Sequence, residues 1–338
     1  MCASASDSGN FPVSLPNPGV SERELRAVTG NLPMVTPLSH LAVLEISGAD
    51  AETFMQGQFT QDIRTLAPGV ARFSAWCSVK GRMLANFVLY PVRENVYHLI
   101  LAKDLAAFMP GRLRMFILRA KVQVSETSRA LLGLSGAETP LPFPGMDVPT
   151  MALTTGAHDG IHAIRLPDTR LILTMPPQRL AETWNRLIDP DTTTPRVPTG
   201  QEIWQWQDIR AGLPWITAAT SEAFVPQMAD FEKPGVSFKK GCYVGQEVIA
   251  RAQHLGKVKR RLYRLESGQP LAAGENLFSP ACANQPDPVA GKVVTAAPSP
   301  GGGHAALAVL LETAATDTRQ GGIDGPRLET QPVHPAET

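Results

Sequence analysis

The chain lacks most of the features that mark secreted, membrane-bound or polyanion-binding proteins. Its four cysteines, Cys2, Cys77, Cys242 and Cys282, are scattered and form no C-x-x-C pair. That argues against a disulfide framework and fits reduced thiols in the cytoplasm. No second cysteine or histidine stands at ligand spacing from Cys242, so neither zinc nor an iron-sulfur cluster is expected as a resident metal. Charge of one sign is missing too: 31 basic residues balance 31 acidic ones, and nothing global attracts nucleic acid. No window approaches the ~20 apolar residues of a membrane span. The first thirty residues pass through Ser4, Ser6, Asp7, Ser8, Gly9 and Asn10 without a basic start or an apolar core, so neither a secretory signal nor a lipidated Cys2 is expected.

What is present describes an ordinary folded chain. With 338 residues, 43% hydrophobic and 18% charged, two or three compact units can each bury a core. Residues 1–33 read as a disordered segment. From Leu41, Ala42, Leu44 and Ile46 alternate with Val43, Glu45 and Ser47 as in a strand, and Asp50 stands where a helix cap belongs. Phe87 to Tyr90 and Val96 to Leu101 form a hairpin across Arg93, Glu94 and Asn95. Asp104 to Met109 and Arg112 to Leu118 read as helices separated by Pro110 and Gly111. Thr139 to Pro149 and Asp189 to Gly200 are loops by their proline content, and short strands after Gly256 suggest a small β-barrel or sandwich. Helices and strands mix without the repetition of a parallel α/β sheet, so the class is α+β. The units are 34–125, 126–250 and a β-barrel over 251–333, with a tail at 334–338.

The densest chemical signal is Lys239 to Glu247, in which Gly241 and Gly245 bracket Cys242 and a helix follows through Val248 to Arg251. Glycines permit a tight loop, and two ammonium groups with a helix N-terminus would favour a thiolate. The competing reading makes Cys242 a small buried hydrophobe and the glycines a turn. His254 could complete a cysteine-histidine dyad only through tertiary folding. Trp204 and Trp206, two apart, share one face if they lie on a strand, where they would stack on a flat ligand with Trp215 nearby or simply fill a core. Lys257, Lys259, Arg260, Arg261 and Arg264 form a basic stretch that suits phosphates or, more prosaically, a charged strand edge.

The run Lys240-Gly241-Cys242-Tyr243-Val244-Gly245-Gln246-Glu247 resembles the signature of the YgfZ family at every defining position. Gly48 to Asp62, Cys77 to Asn86 with its Lys-Gly-Arg turn, and Gly212 to Met228 agree in order, so the resemblance spans residues 38–265 and, more weakly, the β-rich end. It implies a T-protein-like α+β fold: two mixed α/β units around a central folate pocket, plus a C-terminal β-barrel. It also implies binding of tetrahydrofolate or a folate derivative. The role implied is support of assembly or repair of iron-sulfur client enzymes, including some that methylthiolate tRNA, with the signature cysteine required. Cys242 then becomes the reactive or cluster-contacting thiol, carried on a loop of Lys240, Gly241, Tyr243, Gly245, Gln246 and Glu247. Trp204 falls at the position of a folate-contacting tryptophan, and Leu41 replaces a second one. Two departures separate the chain from the aminomethyltransferases that it also resembles around Gly81 to Tyr90. Ala85 stands where they carry an aspartate, which argues against aminomethyl transfer. Arg210 stands where they place a pterin-gripping glutamate, and a guanidinium cannot accept N–H donors. A folate-dependent one-carbon transferase remains the rival reading, and a thiol-dependent hydrolase or redox protein a third.

Overall fold

The computed structural model describes residues 21–137, 141, 143, 145–192, 194–255, 258–286 and 288–334, with only the backbone of 254 and 255. The first part contains α1 (Glu22–Thr29), β1 (Met34–Pro37), β2 (Leu41–Ser47), α2 (Ala51–Gln58), β3 (Arg72–Cys77), β4 (Met83–Arg93), β5 (Val96–Ala102), α3 (Lys103–Ala106), α4 (Met109–Arg114) and β6 (Gln123–Glu126). Then come β7 (Ala130–Ser135), β8 (Thr155–His158), β9 (Ile161–Arg165), β10 (Leu171–Met175), α5 (Pro177–Ile188), β11 (Val197–Pro198) and α6 (Gln201–Ala211). The last part holds α7 (Glu232–Gly235), α8 (Gln246–Leu255), β12 (Arg260–Ser267), β13 (Asn276–Phe278), β14 (Val289–Pro298), β15 (His304–Leu311), β16 (Arg319–Gln320) and β17 (Glu329–Pro332).

Three sheets organise these elements. The first is antiparallel, ordered β3-β4-β5-β2-β6. The expected hairpin forms within it, with Val88 opposite Ile100. Met83 to Tyr90 are all buried, the continuous run of a strand covered on both faces. The second sheet runs β11-β1-β7-β10-β9-β8. The third runs β16-β13-β14-β15-β12-β17 and curls until its outer strands meet: Leu328 donates its N–H to the Thr318 carbonyl at 2.8 Å, and Arg319 bridges Arg327. One apolar core joins Leu44, Phe87 and Ile100 of the first sheet to Ile209 of α6 and to Leu307 and Val309 of the third.

Several local expectations change. Residues 1–20 of the segment expected to be disordered lie outside the described residues, but Glu22–Thr29 fold into α1 under a capping box in which Ser21 and Glu24 bond each other's backbone N–H. Residues 34–37, read as part of the first unit, pair in the second sheet with Met34 opposite Ser135. Asp50 does not cap α2, because its carboxylate accepts the Lys121 N–H at 2.7 Å instead. Pro110 and Gly111 do not separate two helices; they sit in the first turn of α4, where a missing N–H costs nothing. The basic stretch is not a strand edge, since β12 pairs with β15 on one side and β17 on the other. Arg261 meets Glu312 there, and Arg264 donates to the Ile209 carbonyl; Lys257 lies outside the described residues. At the C-terminus β17 and Val333 are paired, and 335–338 of the expected tail lie outside the described residues. No helix of the described residues is long and apolar enough to cross a membrane.

Candidate functional site

A cavity of about 440 Å³ opens between the first sheet, α6 and the third sheet. Leu41 at the start of β2, His40 before it, Asp208 of α6, Trp215 and Thr295 of β14 contribute to its lining. Asp208 is buried, its carboxylate gripped by Arg170 Nη2 at 2.6 Å and by Trp215 Nε1 at 3.0 Å. Arg170 also pairs with Asp168 at 2.6 Å and donates to the Trp204 carbonyl at 3.2 Å. Burial raises the Asp208 pKa to about 6 against the opposing pull of Arg170. Burial, reinforced by Arg170 and opposed by Gln201, lowers that of His40 to about 4, so its imidazole is neutral near pH 7. Gln201 stands close enough to His40 to raise its pKa, yet neither ring nitrogen of His40 nor Thr295 Oγ1 makes a hydrogen bond of ordinary geometry, although all three atoms are shielded from solvent. Such groups are satisfied when a ligand with a polar edge enters.

The tryptophans fall differently from the sequence expectation. Residues 201–211 form a helix, not a strand. Positions two apart on a helix point about 200° from each other, so Trp204 and Trp206 do not share a face. Trp204 is fully buried, its ring pressed against Gly133, where a Cβ would lie 2.4 Å away, and its other partner is the Arg170 guanidinium 4.2 Å from the ring centroid. It does not line the cavity; the indole that does is Trp215. Leu41 lines it as well. Arg210 does not: its guanidinium lies over Trp206 at 5.1 Å and lines a separate cleft of about 230 Å³ with Arg264. The carboxylate facing the cavity from α6 is therefore Asp208, which local sequence does not single out because its partner Arg170 is 38 residues away. Asn86 escapes sequence reasoning for the same reason. It is buried, accepts the Ile216 N–H at 2.7 Å and donates to the Pro214 carbonyl at 2.7 Å, fixing the backbone on both sides of Trp215. Ala85 is buried beside it and opposes Trp76 in the sheet.

The Lys240–Glu247 loop lies elsewhere, packed on the turn between β3 and β4. Gly245 adopts φ +82°, and a Cβ there would fall 2.4 Å from the Ser78 carbonyl, so only glycine lets the two backbones approach. Lys240 turns inward rather than flanking the thiol. Its ammonium donates to the carbonyls of Gln56, Phe59 and Gln61 at 2.7, 2.6 and 2.9 Å and lies 5.0 Å from the Tyr243 ring. Two of these carbonyls terminate α2, whose last C=O groups have no helical partner and favour a cation. Burial lowers the Lys240 pKa to about 8, with Asp62 opposing. Tyr243 is buried and its hydroxyl pKa is pushed up. Gln246 begins α8 and donates its N–H to the Tyr243 carbonyl, and Glu247 pairs with Arg251 on the surface. Cys242 itself is exposed, whereas Cys77 and Cys282 are buried. The buried-hydrophobe reading of Cys242 is thus overturned. The side chain of His254 lies outside the described residues, and no residue of the loop lines the central cavity.

This architecture has known counterparts. The model of the GCVT N-terminal domain matches residues 12–140. The crystal structure of the glycine cleavage system aminomethyltransferase T from Bartonella henselae superposes with a TM-score of 0.71 at 16% identity, covering 94% of this chain and 90% of that one. The fold is thus that of the aminomethyltransferase T proteins. Among curated proteins, the tRNA-modifying protein YgfZ of Photobacterium profundum is 30% identical over 231 residues, 67% of this chain and 68% of the relative. That of an Enterobacter species is 31% identical over 254 residues, 71% and 74% of the two chains. The chain belongs to the YgfZ family.

Proposed function

We propose that the protein binds tetrahydrofolate or a derivative in the central cavity and serves as an accessory factor for iron-sulfur enzymes, including enzymes that modify tRNA, with Cys242 as its essential thiol. The observation that carries the ligand reading is the lining of the cavity, which joins an indole and a leucine to unsatisfied polar groups. A planar ring with donors and acceptors on its edge fits that lining. Asp208 accepts N–H groups, neutral His40 offers one donor and one acceptor, and Thr295 offers a hydroxyl. Trp215 and Leu41 supply apolar contact for the ring. Trp204 acts from beneath, through Arg170, to hold the Asp208 carboxylate. Bound tetrahydrofolate carries one-carbon units; the residues of this chain bind it, orient it and exclude water.

The accessory role is supported by the relatives, named as tRNA-modifying proteins, and by the exposure of Cys242 on a loop whose neighbours are fixed from within. The partner in this reading is an iron-sulfur client enzyme or assembly factor rather than nucleic acid. A cytoplasmic site of action is part of the proposal, and the unpaired, buried Cys77 and Cys282 suit a reducing compartment. Aminomethyl transfer is less well supported, because residue 85 is alanine.

Titration with tetrahydrofolate, followed by tryptophan fluorescence, tests the ligand reading. Saturable binding that weakens at least about tenfold in His40→Leu is expected, and a featureless titration would sink it. The thiol is tested by complementing a strain that lacks its own family member with wild-type and Cys242→Ala protein, scored by iron-sulfur enzyme activity. Equal rescue by both removes Cys242 from the mechanism.

A further inference from the structure

The turn between β3 and β4 is braced from within, yet it displays an apolar side chain that the fold does not use. The Ser78 N–H donates to the Arg82 carbonyl at 2.8 Å, and the Gly81 N–H to the Ser78 carbonyl at 2.8 Å. Gly81 takes φ +68°, and the Arg82 guanidinium reaches back to the Ala223 carbonyl. On this fixed base Val79 is 78% exposed and Lys80 is exposed beside it. Gly245 packs on the same turn, against the Ser78 carbonyl. Cys242 is three residues from Gly245, so their Cα atoms are at most ~11 Å apart. Two more exposed apolar side chains adjoin. Val248 is 39% exposed, and a Cβ on Gly81 would fall 3.0 Å from its own Cβ; Phe238, 38% exposed, lies four residues before Cys242. Single exposed apolar residues are ordinary, whereas a group of them beside charge marks an interaction surface. The charge here is one-sided. Lys80 and Lys239 are exposed, and neither has a hydrogen bond or ion pair among the described residues. The nearby carboxylates are taken: Glu247 pairs with Arg251 at 3.1 Å and Glu222 with Arg112 at 4.0 Å.

Resting on the accessory reading above, we propose that Val79, Val248 and Phe238, with Lys80 and Lys239, form the surface on which an iron-sulfur client enzyme docks, through a patch of that enzyme in which carboxylates surround apolar side chains. The apolar members supply contact area. The two free ammonium groups select carboxylates around it, and at an exposed rim they act more on encounter and register than on raw affinity. A turn already fixed by its own hydrogen bonds has little left to order when a partner arrives. Nucleic acid fits this surface less well. Two free cations on a chain of zero net charge are few for a phosphate backbone, and Val79 and Val248 offer no plane on which a base would stack.

The test measures binding of the full-length protein to a purified iron-sulfur enzyme that methylthiolates tRNA, and to tRNA alone, by biolayer interferometry at low and high salt. Wild type is compared with Val79→Asp, Lys80→Glu and, as a control, Met151→Asp. Met151 is 69% exposed, three residues before Thr154, which bridges Val70 ahead of β3 and so stands at the far end of that strand from Cys77. Val79→Asp should weaken enzyme binding at least about tenfold. Lys80→Glu should weaken it about threefold, an effect that shrinks as salt screens it, and Met151→Asp should change nothing. Superimposable thermal melts check that the variants fold. Wild type that ignores the enzyme, Val79→Asp and Lys80→Glu that bind it as wild type does, or tRNA binding weakened by the same two variants overturns the docking surface. Complementation separates this outcome from failure of the accessory reading. Full rescue by Cys242→Ala removes that reading, whereas full rescue by Val79→Asp where Cys242→Ala fails removes the surface alone.

Discussion

The central cavity and the Lys240–Glu247 loop use the same kinds of group to opposite ends. In the cavity, polar atoms are buried and left incomplete: neither nitrogen of His40 nor the hydroxyl of Thr295 makes a hydrogen bond of ordinary geometry. In the loop, the buried cation is complete, with three carbonyls around Lys240, and the Cys242 thiol is outside. An unpaired buried polar group costs roughly 1–3 kcal/mol, so a fold tolerates a cluster of them where something else completes the bonding. The contrast separates a cavity whose polar lining is left open from a loop whose buried groups are closed and whose thiol is exposed.

The sharpest way to break this comparison is to remove the charge that organises the cavity. Asp208→Leu leaves Arg170 buried with Asp168 as its one remaining carboxylate, and losing one member of a buried pair costs about 3–5 kcal/mol. Urea denaturation should show a loss of that order, whereas a change below about 1 kcal/mol would mean that Asp168 alone suffices for Arg170. The next largest effect belongs to the loop. Lys240→Met strips three carbonyls of their donor and should lower stability by about 2–4 kcal/mol. Cys242→Ser, two residues on, should leave the denaturation midpoint in place while abolishing complementation. If instead Lys240→Met is as stable as wild type but inactive, Lys240 acts on the chemistry directly and the inward ammonium is not its reason for being there.

Much of the scaffold is legible because it is local. The Phe87–Tyr90 and Val96–Leu101 hairpin and the β-rich end each follow from neighbouring residues, whereas the stretch 189–200, read as a loop, contains β11. What fails is non-local or depends on which rule governs. The spacing of Trp204 and Trp206 suits a strand, yet Gly212, at φ +68°, ends α6 in the left-handed conformation typical of a helix C-terminus, and that stop signal is present in the sequence. Pro110 reads as a breaker although it serves equally as a first-turn residue. That β1 leaves its sequence neighbours for β7, with Met34 opposite Ser135, follows from no local pattern. In the site, the loop around Cys242 is visible as a motif. Its inward lysine, and Asp208 and His40 in the cavity, emerge only when α6, Arg170 and α2 are brought together.

A pH series sharpens the same contrast with a smaller effect. Asp208 titrates near 6, above the ordinary 3.8, so between these values the folded chain binds more protons than the unfolded one. Its contribution to stability is therefore full below about 4 and declines as pH rises through 6, by at most about 1.4 kcal/mol per pH unit. Ligand affinity should move the other way, rising through pH 6 as the carboxylate becomes an acceptor. The difference between wild type and Asp208→Asn in each measurement isolates these slopes. Parallel slopes would show that the carboxylate does not face the ligand.

The smallest expected effect distinguishes the two glycines of the loop. Gly245→Ala forces a Cβ to within 2.4 Å of the Ser78 carbonyl at φ +82° and should cost about 1–3 kcal/mol. Gly241 has no positive φ, and a Cβ there meets nothing within 4 Å, so Gly241→Ala should change stability by no more than about 0.5 kcal/mol. The fold therefore gives no reason for glycine beside the exposed thiol. If Gly241→Ala retains stability and loses complementation, the missing side chain matters to whatever approaches Cys242 from outside. If complementation survives, access to Cys242 does not depend on a bare backbone at 241, and the base supplied by Lys240 becomes the principal means by which the loop presents its sulfur.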